Sequence, residues 1–433
     1  MKNHKYKRSK YNIYLRDNNI QTVYNTLTNQ LVSLPIRIYN ELFIESFDNE
    51  TLLTEKGIFI PTDFDETQKL LDEQRHLAYS YDTLNLVIAP TMACNYKCRY
   101  CFEANTLCNN SNMTKDIMDE TVSFIKNQVE EHKDTVKRIS IKWFGGEPLI
   151  NKEAIKYITD KLIENVLKPY HLQYQSSMYS NCRLLTEETA KMLKDCNVGN
   201  TVVTIDGLKE TYTYQKGCTE NDYDITMENI KRAESILNNI TIAINVSKFN
   251  KDEVIPTIKY LREYGINSLI YLNIVACYTP NNKNDSNSIE LKEFMEICDR
   301  AALLDNVSVT TLFKRRYITC EASHDYHYVI APDGHIYRCE HMLNKREHSI
   351  GTVQGGIHNK PQIPDIWVNN KIPEKCLNCP IFPICHMNGC TTNHVIYGLN
   401  TDCDDRNNLI INKLKNSIKT TEQRKILFIK DSK

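Results

Sequence analysis

The sequence predicts an α/β fold built on a parallel sheet, and two observations support that class. Apolar stretches of strand length recur between residues 84 and 274, and amphipathic stretches with helical spacing separate most of them. Regular alternation of strand and helix favours parallel strands joined by right-handed crossovers. The predicted strands are 84–88, 138–144, 172–180, 201–205, 240–246 and 268–274.

Length and charge bound the possible functions. The chain has 433 residues, which is enough for two or three domains with a sizeable core. With 53 Lys and Arg against 54 Asp and Glu, the net charge is −1, so nothing demands a nucleic-acid or anionic-membrane partner. No apolar run approaches the ~20 residues of a membrane span, and no signal peptide is evident. We therefore expect a soluble, cytoplasmic protein.

Residues 1–82 are predicted to form a separate small α+β unit. The stretches YNIYLRD and IQTVYNTL flank the turn-forming pair Asn18-Asn19, which indicates a hairpin, and LPIRIYNELF then takes up helical spacing. A short strand (GIFIP) and a polar helix (DETQKLLDEQRHLAYS) follow. The basic first ten residues are typical of a solvated tail.

Polar motifs follow successive strands of the alternating region. A cysteine-rich loop comes after the first strand and GGEP after the second, SN ends the third, and DG follows the fourth. Because parallel strands end at one edge of a sheet, these motifs should lie on the same rim, where such folds place their sites.

Cysteines are unusually frequent in this chain, with 16 in all. In a reducing compartment clustered cysteines indicate metal binding or catalysis rather than disulfides. Cys94, Cys98 and Cys101 have C-x3-C-x2-C spacing, one thiolate short of a filled four-ligand site. A zinc site completed by a distant His is the alternative to an iron–sulfur cluster with one open position.

Taken with the downstream motif FGGEP at 144–148, the cysteine loop resembles that of radical S-adenosylmethionine (radical SAM) enzymes. The resemblance implies that residues 83–305 form a partial (β/α)6 TIM barrel. It implies a 4Fe–4S cluster on Cys94, Cys98 and Cys101, whose open iron binds S-adenosylmethionine. One electron from an external low-potential donor would then release a 5′-deoxyadenosyl radical that abstracts hydrogen.

The same resemblance suggests which residues contact S-adenosylmethionine. In VTIDG, Asp206 could contact the substrate, although a turn Asp that ends a strand fits equally well. Cys182 stands where the family has a glycine after the ribose-contacting pair. The implied contacts are with the methionine amino group (Gly145, Gly146, Glu147), the ribose (Ser180, Asn181) and the adenine (Tyr100), with Asn245 as a further contact.

The C-terminal cysteines resemble the SPASM extension of radical SAM peptide-modifying enzymes, which implies a Cys-rich SPASM domain with a C-terminal helix at residues 306–433. The chain departs from that pattern in CHMNGC, which has four residues rather than three between its cysteines. Two auxiliary 4Fe–4S clusters are implied, three clusters in all: a first on Cys320, Cys339 and Cys390, and a second on Cys376, Cys379, Cys385 and Cys403.

The ligand set of the first auxiliary cluster is one short, and His324, His327 or an open iron could complete it. For the second, a zinc ribbon at Cys376 and Cys379 is the alternative in isolation. Glu340 directly follows Cys339, where related enzymes place an acidic base, so it is either a catalytic base or a surface carboxylate.

The N-terminal unit is similar to the winged-helix-like module with which peptide maturases capture a precursor's leader. An exposed strand edge could accept that leader as an added strand, and a packing extension of the barrel is the alternative.

These expectations together indicate a radical SAM peptide maturase that installs an oxidative cross-link, thioether or carbon–carbon, in a ribosomally made precursor peptide. The alternatives are an anaerobic sulfatase-maturing enzyme that forms formylglycine and, in another class, a non-catalytic, zinc-stabilised peptide-binding scaffold.

Overall fold

A computed structural model describes most of the first 385 residues. The described ranges are 4–17, 19–45, 51–103, 111–275, 287–309, 315–343, 345–358, 367–369 and 372–385, with 392, 403, 407–408, 410–412 and 414 beyond them.

The strands, numbered in chain order, are β1 Tyr6–Arg8, β2 Asn12–Asp17, β3 Ile20–Asn25, β4 Gln30–Pro35, β5 Phe59–Pro61, β6 Thr83–Ile88, β7 Arg138–Trp143, β8 Gln173–Ser180, β9 Val198–Thr204, β10 Ile240–Val246, β11 Leu269–Ile274, β12 Val307–Ser308, β13 His327–Ile330, β14 His335–Tyr337, β15 Gly351–Thr352 and β16 Gly356–Ile357.

The α-helices are α1 Ile36–Glu45, α2 Leu52–Glu55, α3 Glu66–Ala78, α4 Lys115–Glu131, α5 Lys152–Leu162, α6 Lys168–Tyr170, α7 Glu187–Asp195, α8 Lys209–Lys216, α9 Glu220–Ala233, α10 Val254–Tyr264, α11 Leu291–Ala301, α12 Glu374–Leu377 and α13 Phe382–Cys385. A π-helical turn at Ile163–Leu167 joins α5 to α6.

A parallel sheet forms the centre of the protein. Eight neighbouring strands run parallel in the order β12-β11-β10-β9-β8-β7-β6-β13, and β14, β15 and β16 extend the sheet antiparallel. All six strands predicted from the sequence are present as β6–β11, with ends shifted by at most a few residues. Within the described chain the outer strands β12 and β16 do not pair with each other, so the sheet is a partial barrel.

The two faces of the sheet pack differently, as the alternation along β6 illustrates. Leu84, Leu86 and Ile88 belong to the large core in which the flanking helices pack on the sheet. Val87 and Ala89 point to the opposite face and pack with a smaller apolar cluster that includes Cys339.

The N-terminal unit consists of a three-stranded antiparallel sheet, β2-β3-β4, and a two-stranded sheet, β1-β5. The predicted hairpin is present, since Asp17 pairs with Ile20 across the turn; residue 18 of that turn lies outside the described residues. The prediction of a solvated basic tail was wrong for residues 6–8, because Tyr6 is buried and β1 pairs with β5. Strand β4 was not predicted.

Strands β13–β16 correct the prediction of a loop-rich region from 315 to 405. They have two to four residues each, too few to show a periodic pattern in the sequence. Because β13 pairs with β6, one sheet spans both sides of the predicted boundary at 305/306. The domain boundaries themselves stay a prediction.

The N-terminal unit packs on the C-terminal cysteine segment. Ile13 and Leu15 of β2 share an apolar cluster with Ile381 and Ile384, and the Tyr11 hydroxyl donates to the Leu377 carbonyl at 3.1 Å. The N-terminal unit and residues 377–384 therefore meet beside Cys379 and Cys385. Within the described residues, no helix has both the length and the apolar character needed to cross a membrane.

Candidate active site

A cavity of about 490 Å³ lies at the C-terminal ends of the parallel strands. The loops after β6 and β7 and the ends of β8, β10 and β11 contribute its walls, as the shared rim predicts. Its lining residues are Cys94, Cys98, Tyr100, Cys101, Phe102, Phe144, Gly145, Gly146, Glu147, Tyr179, Ser180, Asn181, Thr204, Lys216, Asn245, Asn273, Ile274, Val275 and His341.

The three cysteines of the first motif all reach this cavity. Burial raises the pKa of Cys94 to about 11 and that of Cys101 to about 12, and the neighbouring thiols add to both shifts. Three thiols facing one space suit a cluster of several irons, whose binding displaces the thiol protons. In the described residues no three His, Cys, Asp or Glu side chains converge on a point that suits a single metal ion. The donor set thus fits a 4Fe–4S cluster.

The glycines of GGEP allow two loops to meet. The Glu147 amide donates to the Ala93 carbonyl at 2.8 Å, and the Gly146 amide to the Thr91 carbonyl at 3.2 Å. A Cβ atom on Gly146 would lie 2.3 Å from the Ala93 oxygen, and Gly145 has a φ of 108° that L side chains rarely adopt. These glycines hold the GGEP loop against the cysteine loop as well as lining the cavity.

Replacing Gly146 by alanine should therefore disturb the cysteine loop. The added methyl group would meet two backbone oxygens, those of Met92 at 2.6 Å and Ala93 at 2.3 Å, which cannot rotate away. We expect a loss of about 1–3 kcal/mol in unfolding free energy and impaired loading of the catalytic cluster. Thermal unfolding and iron content measure both. Gly199→Ala is the matched control, because its nearest neighbour would be 3.5 Å away; equal behaviour of the two variants would contradict the account.

Glu147 is a fully buried carboxylate with one acceptor position left for a ligand. It accepts hydrogen bonds from the Ser180 hydroxyl (2.8 Å), the Asn181 amide (2.7 Å) and the Leu149 amide (3.1 Å). A carboxylate has about four acceptor positions, so one remains on Glu147, which lines the cavity. Burial raises the pKa of Glu147 to about 6, although the three hydrogen-bond donors lower it. A ligand ammonium would stabilise the charged form.

The SN motif joins the third strand to the cysteine loop. The Asn181 side-chain amide donates to Asn95 of that loop at 2.7 Å. Cys182 has a φ of 59°, a conformation that favours glycine, and its side chain is buried in the core. Ser180, Asn181 and Glu147 thus form one connected wall of the cavity.

A buried polar network lies beside the cysteines, and its central residue was missed by sequence reasoning. The Lys216 ammonium, only 2% exposed, lies 2.8 Å from Asp206 and donates to the Tyr100 hydroxyl at 2.6 Å. Asp206 also accepts from the Tyr100 hydroxyl and from the Asn245 amide at 2.7 Å. Burial works against the charge on Lys216, but Asp206 and Tyr100 outweigh it and hold its pKa well above the usual range.

Lys216 lines the cavity, whereas Asp206 lies behind the wall, fully buried. The arrangement gives Asp206 a positioning role for Lys216, Tyr100 and Asn245; its predicted contact with substrate stays a prediction. A lysine in the last turn of a helix before a glycine is usually a solvated cap, so TYTYQKG carried no signal of this role.

The sites predicted for the first auxiliary cluster are partly described. Cys339 is buried, and burial, together with nearby Glu340 and Cys320, raises its pKa to about 12. The Thr392 hydroxyl donates to the Cys339 sulfur at 3.4 Å. Cys390 lies outside the described residues.

Glu340 and Glu321 each follow one of these cysteines, and both pair with Lys142, at 2.9 and 2.6 Å. Burial disfavours the charged Glu340, but Lys142 and His327 outweigh it and keep the pKa of Glu340 below its usual value. The role of Glu340 as a base stays a prediction. Its neighbour His341 lines the cavity and packs on Phe102, with ring centroids 4.2 Å apart.

The four cysteines predicted for the second auxiliary cluster are near one another. Burial raises the pKa of Cys376, and the other three thiols, Cys403, Cys379 and Cys385, raise it further. Cys376 lies on α12, Cys385 ends α13, and Cys379 lies between them. Proximity of four thiols is compatible with the predicted cluster, which stays a prediction.

Comparisons with known proteins agree with this geometry. Residues 88–261 match the model of the radical SAM superfamily. The radical SAM cyclopropyl synthase TigE of Paramaledivibacter caminithermalis is 26% identical over 75% of this chain and 73% of its own length. A cysteine-type anaerobic sulfatase-maturating enzyme of Clostridium perfringens is 23% identical over 70% of this chain and 87% of its own length.

Two solved structures share the fold. The anSMEcpe structure with bound AdoMet superposes with a TM-score of 0.63 at 18% identity, covering 79% of this chain and 96% of that one. Streptococcus suis SuiB bound to its precursor peptide SuiA gives a TM-score of 0.54 at 14% identity, covering 89% of this chain and 95% of that one.

Radical SAM enzymes use a 4Fe–4S cluster and S-adenosylmethionine. The cavity offers three thiols for the cluster, and the Glu147 carboxylate has a free acceptor position for S-adenosylmethionine. Residues 88–261 are a radical SAM superfamily domain, and the chain that carries this domain is an enzyme.

Proposed function

We propose that this enzyme forms an oxidative cross-link, thioether or carbon–carbon, within a ribosomally made precursor peptide. The cavity in which the three thiols, Glu147 and Lys216 meet is the observation that carries the proposal. Most of this chain shares its fold with SuiB, which was solved with a bound precursor peptide. The relative TigE, named as a cyclopropyl synthase, favours carbon–carbon bond formation.

The cavity residues divide the binding of cluster and cosubstrate between them. Cys94, Cys98 and Cys101 would hold the cluster, which when bound supplies the electron that cleaves S-adenosylmethionine into a hydrogen-abstracting radical. Glu147 would accept the methionine ammonium through its remaining acceptor position. Lys216 is the one lysine among the described lining residues and would attract the methionine carboxylate.

The walls of the cavity would orient the rest of the cosubstrate. Asn181 is held by its bonds to Glu147 and Asn95, and Tyr100 by its bonds to Asp206 and Lys216. Both side chains are therefore fixed before a ligand arrives, which reduces the ordering cost of binding. Phe102 and Phe144 are apolar parts of the same lining and help to exclude water.

Binding of S-adenosylmethionine should weaken as the pH falls through about 6. Only the charged Glu147 attracts an ammonium, and burial raises its pKa to about 6, so the charged form is lost below that pH. We expect affinity to fall about tenfold per pH unit below the pKa and to be highest near pH 7, before the ligand's own α-ammonium loses its proton at about pH 8. Equilibrium binding to the oxidised, cluster-loaded enzyme measures this. Glu147→Gln should bind weakly at every pH; a wild-type affinity independent of pH would contradict the assignment.

The N-terminal unit would receive the leader of the precursor. Its sheet β2-β3-β4 has two outer strands, β2 and β4, that pair on one side only within the described chain. An extended peptide can add to such an edge through backbone hydrogen bonds. The match to SuiB covers 89% of this chain against 79% for anSMEcpe, in agreement with an additional unit of this kind.

Mass spectrometry of a co-expressed peptide tests the proposal. The enzyme is produced anaerobically together with the product of any short open reading frame that adjoins its gene, and the peptide is then analysed. Each cross-link should lower its mass by two hydrogens, and fragmentation should identify the residues joined. A peptide of unchanged mass would reject the proposal.

Formylglycine formation is the second candidate, because the anSMEcpe fold superposes with the higher TM-score of 0.63. In that reaction a substrate cysteine loses its sulfur and gains an aldehyde, which the same mass measurement distinguishes. The scaffold hypothesis is set aside, because residues 88–261 are a radical SAM superfamily domain.

A further inference from the structure

We infer that the imidazole of His327 is a ligand of the auxiliary cluster predicted at Cys320 and Cys339. The sequence pattern leaves that cluster one donor short, and histidine replaces cysteine as a ligand in some natural iron–sulfur proteins. His327 is the first residue of β13, the strand that joins the C-terminal region to the barrel sheet. This inference goes beyond the proposed function, since it concerns a second metal centre.

His327 is buried, and the described residues offer its ring no hydrogen bond. The residue is 1% exposed, and neither Nδ1 nor Nε2 has a partner among the residues that the structure describes. A buried imidazole normally places at least one ring nitrogen in a hydrogen bond, because an unpaired buried polar group is costly. A metal bond to one nitrogen would remove much of that cost.

Strand geometry directs the ring toward Cys339. Strands β13 and β14 are antiparallel, with Ile330 opposite Ile336 and Val329 opposite Tyr337. Continuing this register by two residues brings His327 opposite Cys339 on the same face, where opposed Cβ atoms are ~5 Å apart. Val329, two residues along on that face, packs in the apolar cluster that contains Cys339 and borders Cys320.

The charged groups around His327 satisfy one another and do not use the ring. Lys142 pairs with Glu340 and Glu321, and Arg338 pairs with Asp325 at 3.1 Å. Arg338 also donates to the His327 carbonyl, at 3.0 Å, which fixes the backbone and leaves the imidazole to other contacts. These contacts hold the residue in place, and no described residue hydrogen-bonds to either ring nitrogen.

His324, the other histidine considered for this position, is less suited. Its Nδ1 lies 3.0 Å from the Leu77 carbonyl, so that nitrogen already has a partner. His324 also follows the short 3-10 turn Glu321–Ser323, before β13 begins, and is only partly buried. It serves as the matched control.

Pulsed electron paramagnetic resonance on a variant that lacks the catalytic cluster tests the inference. Replacing Cys94, Cys98 and Cys101 together by alanine removes the cluster that S-adenosylmethionine approaches, so only auxiliary clusters remain to be reduced by dithionite. Growth on 15N-labelled histidine then marks any imidazole nitrogen bound to iron. Iron content and reduction potential are measured on the same samples.

We expect a strongly coupled histidine nitrogen in this background and in its His324→Gln derivative. His327→Cys should abolish the coupling, keep the iron content and lower the reduction potential of one auxiliary cluster, because a thiolate replaces a neutral ligand. Absence of the coupling, its persistence in His327→Cys, or failure of any auxiliary iron to bind would overturn the inference. None of these outcomes changes the mass of the peptide product, so the proposed function is tested separately.

Discussion

Replacing Cys98 by alanine should reduce cleavage of S-adenosylmethionine to background and remove about four irons per chain. Cys98 lines the cavity together with Cys94 and Cys101. Without Cys98, the two remaining thiolates cannot hold a cluster that already has one open iron. Anaerobic reconstitution, iron analysis and chromatography of 5′-deoxyadenosine measure both effects. The predicted auxiliary clusters, which are assigned to other cysteines, should keep their iron.

Cys196→Ala is the control for this variant. Cys196 is buried after α7, with its sulfur 3.6 Å from that of Met192, and it does not line the cavity. Its loss should cost about 1 kcal/mol of stability and leave iron content and cleavage unchanged. Cleavage by Cys98→Ala at the wild-type rate would show that the catalytic cluster lies elsewhere.

Replacing Lys216 by methionine should destabilise the protein and weaken cosubstrate binding together. The substitution leaves the fully buried Asp206 carboxylate without the ammonium that lies 2.8 Å from it. Removing one partner of a buried pair costs about 3–5 kcal/mol, which chemical denaturation will detect. Binding of S-adenosylmethionine should weaken as well, because the cavity loses its lysine.

The double variant Lys216→Met with Asp206→Asn separates the two effects. Removing both charges eliminates the unpaired buried carboxylate, so most of the lost stability should return. Cosubstrate affinity should stay low, because the positive charge is still absent. Restored affinity in the double variant would show that Lys216 acts on structure alone.

The alternating part of the chain was predictable because its strands and helices are long enough to show a period. Strands such as β7 and β10 have six or seven residues with apolar or alternating character. Strands β1 and β13–β16 were not predictable, because they have two to four residues and form through pairing with distant partners.

The site was predictable where chemistry demands a particular residue type. Thiols at 94, 98 and 101, the GGEP loop and the SN pair all line one cavity, as their positions after successive strands indicated. Lys216 could not be identified in this way, since a lysine at a helix end is common, and His327 could be named only as one of three possibilities for the missing ligand. Their roles depend on burial and on partners far away in the sequence.

The most direct test of the central claim is the fate of hydrogen during turnover with a deuterated precursor peptide. If the radical generated in this cavity acts on the peptide, deuterium from the modified residue will be found in the 5′-deoxyadenosine that accumulates. Formation of 5′-deoxyadenosine without deuterium, alongside a cross-linked peptide, would contradict hydrogen abstraction from the peptide by this site.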